Sequence, residues 1–119
     1  MTITLATLSQ ATAQEVFDQV ATHLLKQKTR STSENGCAYR GPNGLKCAAG
    51  CLISDEEYKP DMEGAVWTRL FYNGYVSRHH MELIRGLQIV HDSYPPAEWE
   101  HELKNLAKEK GLKYENYAV

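Results

Sequence analysis

Behind Thr12 and Glu15, which stand at capping-box spacing, Val16, Phe17, Val20, Ala21, Leu24 and Leu25 recur every three or four residues. That period predicts a helix with one apolar face, and such a face is stable only when packed against something else. Later stretches supply the partners. Val66, Trp67, Leu70 and Phe71 predict a helix over 65–72 that stops at Asn73-Gly74. Ser77 caps a further helix carrying Leu83, Ile84, Leu87 and Val90, which runs to about Asp92. Pro95 and Pro96 suit the first turn of the last helix, whose inner face is Trp99, Leu103, Leu106 and Ala107 and whose stop is Gly111. Its early Glu98, Glu100 and Glu102 and late Lys104, Lys108 and Lys110 agree with the helix dipole.

Residues 29–36 are polar and end in the turn dipeptide Asn35-Gly36. Cys37-Ala38-Tyr39-Arg40 and Leu45-Lys46-Cys47 flank Gly41-Pro42-Asn43-Gly44, which predicts a short hairpin lying against the helices, because two strands alone are marginal in water. Residues 47–53 are small and apolar and predict a short central helix whose backbone approaches a neighbour. An acidic connector follows through Lys59-Pro60 to Gly64. The expected fold class is α+β: a mostly helical single domain over residues 1–119, with about four helices and one short β-hairpin.

A net charge of -2 argues against strong sequence-blind nucleic-acid binding, which draws its affinity from many Lys and Arg releasing counterions. No apolar run is long enough for a membrane span, and Met1-Thr2-Ile3-Thr4-Leu5 does not read as a signal peptide, so the expected location is the cytoplasm. Three cysteines cannot all pair internally and are expected as thiols.

Cys37, Cys47 and Cys51 with His80 form a possible zinc set, since Cys47 and Cys51 would share a face of a helix and a hairpin would return Cys37 beside them. Small buried hydrophobes are the plainer reading of the same thiols, and no other cofactor pattern is present. A thiol paired with a histidine base would make a small hydrolase, although no local signature surrounds any cysteine. His80 and His91, about 16 Å apart along a helix, cannot share a metal ion and are expected to flank the apolar stripe. Arg40 and Lys46 beside the turn offer two cations and exposed backbone N–H groups to an anion or nucleotide. Glu57, Tyr58 and Met62 mix charge with large apolar side chains, as protein-contact surfaces do.

Cys37-Ala38-Tyr39-Arg40-Gly41, Lys46-Cys47-Ala48-Ala49-Gly50-Cys51-Leu52-Ile53 and Tyr58-Lys59-Pro60-Asp61-Met62-Glu63-Gly64 resemble a family of short proteins from phages and prophage-bearing bacteria. The resemblance extends to Gln14-Glu15-Val16-Phe17-Asp18 and to the segment from His91-Asp92 to Pro95-Pro96 and Trp99, and it brings no catalytic residue with it. It implies an accessory protein that blocks a host defence, either by plugging a host defence protein, as anti-CRISPR inhibitors do, or by sequestering a nucleotide signal. The expected function is therefore that of a non-enzymatic binding protein. Its expected contact residues are Tyr39, Arg40, Asn43 and Lys46 on the hairpin and Glu57 and Tyr58 beside it. The zinc-stabilised module and the thiol hydrolase are the alternatives.

Overall fold

The computed structural model describes residues 2–34 and 36–117. Asn35 of the expected turn dipeptide and the last two residues of the tail lie outside it. Helix α1 spans Ala13–Gln27, and its start is the reciprocal capping box: the Glu15 N–H donates to Thr12 Oγ1 and the Thr12 N–H donates to Glu15 Oε1. Its buried face is Val16, Phe17, Val20, Ala21, Leu24 and Leu25. Helix α2 is the short Trp67–Tyr72, α3 is Met81–Ser93 and α4 is Trp99–Lys110, closed by Gly111 at a φ of 70°. Helices α1, α3 and α4 pack on one another, with α2 against α3. Trp99, fully buried, stacks on His91 at 5.4 Å between ring centroids, and its indole N–H donates to the Tyr94 carbonyl at 3.0 Å. The chain after α4 folds back so that Tyr114 and Tyr117 meet Phe17 edge-on.

Mostly helical α+β describes the fold, but the hairpin sits earlier than the residue pattern predicts. Strands β1 (Thr32–Ser33) and β2 (Gly36–Cys37) pair antiparallel, Thr32 opposite Cys37 and Ser33 opposite Gly36. The expected ribbon over 37–47 is instead a loop around a 3₁₀ turn, Pro42–Gly44, with Asn43 in the left-handed region and the Gly41 N–H donating to the Leu45 carbonyl at 2.7 Å. The physical reason is competition for donors. The Tyr39 and Arg40 N–H groups go to the Glu63 carboxylate (2.9 and 3.0 Å), and the Lys46 N–H goes to Gln27 Oε1 (3.0 Å). These backbone donors are thus satisfied by side chains rather than by a facing strand.

The small residues after Cys47 form a 3₁₀ turn, Ala49–Leu52, packed on α1 and α3. Gly50 there lies so close to the Tyr39 backbone that an added Cβ would stand 2.5 Å from the Tyr39 carbonyl oxygen. Among the described residues, no helix is long and apolar enough to cross a membrane.

Candidate functional site

Two polar clusters order residues 31–63, and the second ties them to α3. The first surrounds Arg40. Its guanidinium donates to the carbonyls of Tyr39, Gly50 and Ile53 and pairs with Asp55 at 3.2 Å, while lying over the Tyr58 ring at 4.9 Å. The Tyr58 hydroxyl donates to Glu63 Oε2 at 2.7 Å, and burial together with that carboxylate pushes its pKa up to about 12. Tyr39 is buried and donates its hydroxyl to the Ala65 carbonyl at 2.5 Å. Glu57 accepts the N–H groups of Leu5 (2.9 Å), Ala6 (2.9 Å) and Ser54 (3.0 Å).

Of the six expected contact residues, Tyr39, Arg40 and Tyr58 are therefore joined in internal bonds between the turn and the acidic connector, and Glu57 ties that connector to Leu5 and Ala6. Asn43 is exposed at the turn; Lys46 is half-buried, its carbonyl receiving His23 Nε2 and Gln27 Nε2, both at 2.8 Å. Pro42, Asn43 and Gly44 are exposed at the turn, and the exposed charged residues of this unit's connector are Asp55, Glu56, Lys59 and Asp61.

The second cluster lies where β2 meets α3. Ligating atoms of Cys37, His91 and Asp92 fall within 4.8 Å of one another. His91 is fully buried, and its Nε2 accepts the Ser31 N–H at 3.0 Å, which places the ring proton on Nδ1. Nδ1 donates that proton to Asp92 Oδ1 at 2.7 Å. Gln88 completes the network, with Nε2 donating to Cys37 Sγ (2.9 Å) and Asp92 Oδ1 (2.8 Å) and Oε1 accepting the Ala49 N–H (2.9 Å).

This arrangement looks like a nucleophile, base and orienting acid, but the protons run the wrong way. A base needs a lone pair facing the thiol, and both imidazole nitrogens are engaged: one holds the Ser31 N–H, the other carries a hydrogen. The Cys47 thiol and burial push the Cys37 thiol well above its ordinary value, so thiolate is suppressed at neutral pH. Burial disfavours the His91 imidazolium, yet the bond to Asp92 and the neighbouring Cys37 sulfur outweigh it and raise its pKa. The extra proton would enter at Nε2, against the Ser31 N–H.

The same tautomer blocks a metal ligand at Nδ1 unless the ring loses that proton and Ser31 turns its N–H away. The four residues of the expected zinc set are not gathered. His80 Nε2 is bonded to the Ala11 carbonyl at 2.7 Å, and Cys51 lines a cleft of about 690 Å³ beside Ile3, Gln10 and Gln19. Cys47 precedes the 3₁₀ turn Ala49–Leu52 and Cys51 lies within it, so no α-helical face carries both. In the cleft, Gln19 is bound to Ile3 and to the Cys51 carbonyl, and Asp18 accepts the Tyr117 hydroxyl.

His91, Asp92 and Gln88 are the residues that sequence reasoning missed. Their helical spacing put Gln88 and Asp92 one turn apart, but nothing in it pointed to Cys37. No protein-family model, curated protein or solved structure matches the chain.

Proposed function

We propose that the protein is a non-enzymatic binding protein of the anti-defence kind, which obstructs a host protein by covering a basic face of it. The observation that carries this reading is the state of Arg40. The cation best placed to hold a nucleotide phosphate is committed to three carbonyls and a carboxylate and stacked on Tyr58, which leaves the exposed charge of this unit mainly acidic: Asp55, Glu56 and Asp61, with Lys59. Such a surface is complementary to a cationic protein groove and repels nucleotides. Asn43 and Lys46 are the rim contacts, and Tyr39, Arg40, Glu57 and Tyr58 hold the platform rigid, which reduces the entropy lost on association. The phage-type resemblance of residues 37–64 supplies the biological setting.

The test is capture from host lysate with the wild-type chain and with Glu56→Lys combined with Asp61→Lys. The expected result is a basic protein whose binding weakens at least about tenfold on charge reversal and falls with added salt, since exposed charges are screened beyond about 8–10 Å at physiological ionic strength. Capture unchanged by charge reversal, or a nucleotide that binds the chain and is lost with Arg40→Ala, would overturn the reading.

A further inference from the structure

We propose that His91 is an acid-operated latch: its neutral ring holds the base of the β1–β2 hairpin against α3 through the Ser31 N–H, and a proton arriving at Nε2 releases it. The ring has no spare nitrogen. His91 is fully buried, its Nε2 accepts the Ser31 N–H at 3.0 Å, and its Nδ1 donates to Asp92 Oδ1 at 2.7 Å. Protonation turns Nε2 from an acceptor into a donor, so two N–H groups then face each other across 3.0 Å, in a site where burial makes an unpaired donor costly. Asp92 need not move, because Nδ1 carries its hydrogen in both forms. The contact that must yield is therefore the one to Ser31.

Ser31 passes the release on to the hairpin. Its Oγ donates to the Ala38 carbonyl at 2.7 Å, and the Ala38 N–H donates to the Ser31 carbonyl at 2.9 Å. Between these two residues β1 and β2 pair, Thr32 opposite Cys37 and Ser33 opposite Gly36, so the hairpin and its base move together. Beyond Ala38 the chain is pinned from another side, by the Glu63 carboxylate on the Tyr39 and Arg40 N–H groups. Release thus stops at Tyr39, and the unit around Arg40 keeps its shape whatever its acidic surface binds. Two further ties to α3 remain, Gln88 Nε2 on Cys37 Sγ at 2.9 Å and Arg30 Nε on the His91 carbonyl at 3.2 Å, so the hairpin loosens without detaching.

The groups around the ring come from four elements. Asp92 on α3 sets a carboxylate at Nδ1, and the Trp99 indole on α4 stacks on the ring at 5.4 Å, offering the negative face of its π-system to a cation. Cys37 on β2 brings a thiol that stays neutral. His23 on α1 donates from Nε2 to the Lys46 carbonyl at 2.8 Å, and burial holds its pKa below the ordinary value, so it stays neutral where His91 titrates. The Arg30 cation, engaged at the His91 carbonyl, opposes the incoming proton. Burial opposes it too, yet the bond to Asp92 and the neighbouring Cys37 sulfur outweigh burial and lift the His91 pKa above its ordinary value of about 6.5. A folded-state pKa raised in this way means that the folded chain binds the proton more tightly than the unfolded chain does. Its stabilisation is complete below about 6.5 and is lost as pH rises through the folded value, so acid frees the hairpin without unfolding the helices.

The test is an NMR titration of the full chain from about pH 8 to about pH 5, following the His91 ring nitrogens and the Ser31 amide. At the alkaline end His91 should carry its hydrogen on Nδ1, with Nε2 bare. As Nε2 gains its proton, the exchange protection of the Ser31 amide, corrected for its intrinsic rate, should fall at least about tenfold with the same midpoint, while the Tyr39 and Arg40 amides keep theirs. Asp92→Asn keeps an acceptor for the Nδ1 hydrogen and removes the charge, so the midpoint should move to lower pH. His91→Phe keeps a ring against Trp99 and should leave Ser31 poorly protected at every pH. Should that variant fail to fold, Asp92→Asn, at a partly exposed side chain, carries the test. The proposal is overturned by a hydrogen on Nε2 at about pH 8, by a ring that stays neutral down to about pH 5, by Ser31 protection indifferent to the ring's titration, or by a midpoint that Asp92→Asn leaves in place.

Discussion

Helices α1, α3 and α4 and the irregular stretch from Ser31 to Glu63 both bury main chain, and they satisfy it in opposite ways. In the helices the backbone bonds itself, and side chains such as Phe17, Leu24, Ile84, Leu87 and Leu103 only fill space. In the irregular stretch the backbone depends on side chains, some its own and some from α1 and α3. Glu63 takes two N–H groups, Gln27, Gln88 and His91 take one each, and Arg40 returns bonds to three carbonyls. The first region rests on many similar apolar contacts that can repack. The second rests on a few polar groups with no substitutes, since an unpaired buried amide costs about 1–3 kcal/mol.

The largest expected effect tests the apolar half of that contrast. Trp99→Ala removes a fully buried indole that stacks on His91 and bonds the Tyr94 carbonyl. Chemical denaturation should show a loss of about 3–5 kcal/mol. A loss below about 1 kcal/mol would mean that the helical core does not carry the fold.

The next effect sets one glycine from each region side by side. In Gly50→Ala the new methyl would lie 2.5 Å from the Tyr39 carbonyl oxygen and 3.2 Å from two further Tyr39 backbone atoms, none of which can yield without moving the chain. The expected cost is about 1–3 kcal/mol. In Gly86→Ala, inside α3, the nearest atom is Leu106 Cδ1 at 2.9 Å, the far end of a flexible side chain. Alanine's helical preference, up to about 1 kcal/mol, offsets a rotamer shift of about 0.5–1.5 kcal/mol at Leu106, so the net change should be small. Equal losses at the two sites would erase the distinction between a backbone-limited and a side-chain-limited contact.

The same contrast explains which parts were legible in the residues. Thr12 with Glu15, the apolar period of α1 and the stop at Gly111 are local, so periodicity and capping found α1 and α4. The close backbone approach within 47–53 was marked by its run of small residues, which is a local signal too. The hairpin was misplaced because Gly41-Pro42-Asn43-Gly44 is compatible with several turns. What decided between them was Glu63 and Gln27, polar residues with no distinguishing spacing. Likewise His91 reads as one more residue on an amphipathic helix, and its bond to the Ser31 N–H joins positions far apart in sequence. His80 was read as lying on the helix after Ser77, whereas the structure places it just before α3, where it holds the Ala11 carbonyl.

The smallest expected effect probes the polar half through pH. Burial would raise the Glu57 pKa, but the bonds from Ser54, Leu5 and Ala6 outweigh it and hold the carboxyl below its ordinary value. A depressed folded-state pKa means that its stabilisation is complete above the unfolded value, about 4.3, and is lost as pH falls through the folded one. Glu57→Gln keeps an acceptor for Leu5 and Ser54, which share Oε1, and turns an amide NH₂ toward the Ala6 N–H that Oε2 had accepted. Because the group is partly exposed, the expected loss at pH 7 is only about 1 kcal/mol. The gap between wild type and variant should narrow as pH drops below about 4. Asp92, also held low by His91 and Gln88 despite burial, supplies the acid sensitivity that remains. Urea denaturation of both proteins across pH 3–7 measures the gap. A gap that stays constant down to pH 3 would show that the carboxylate's charge is irrelevant to this junction, and that the irregular stretch is held by packing as the helices are.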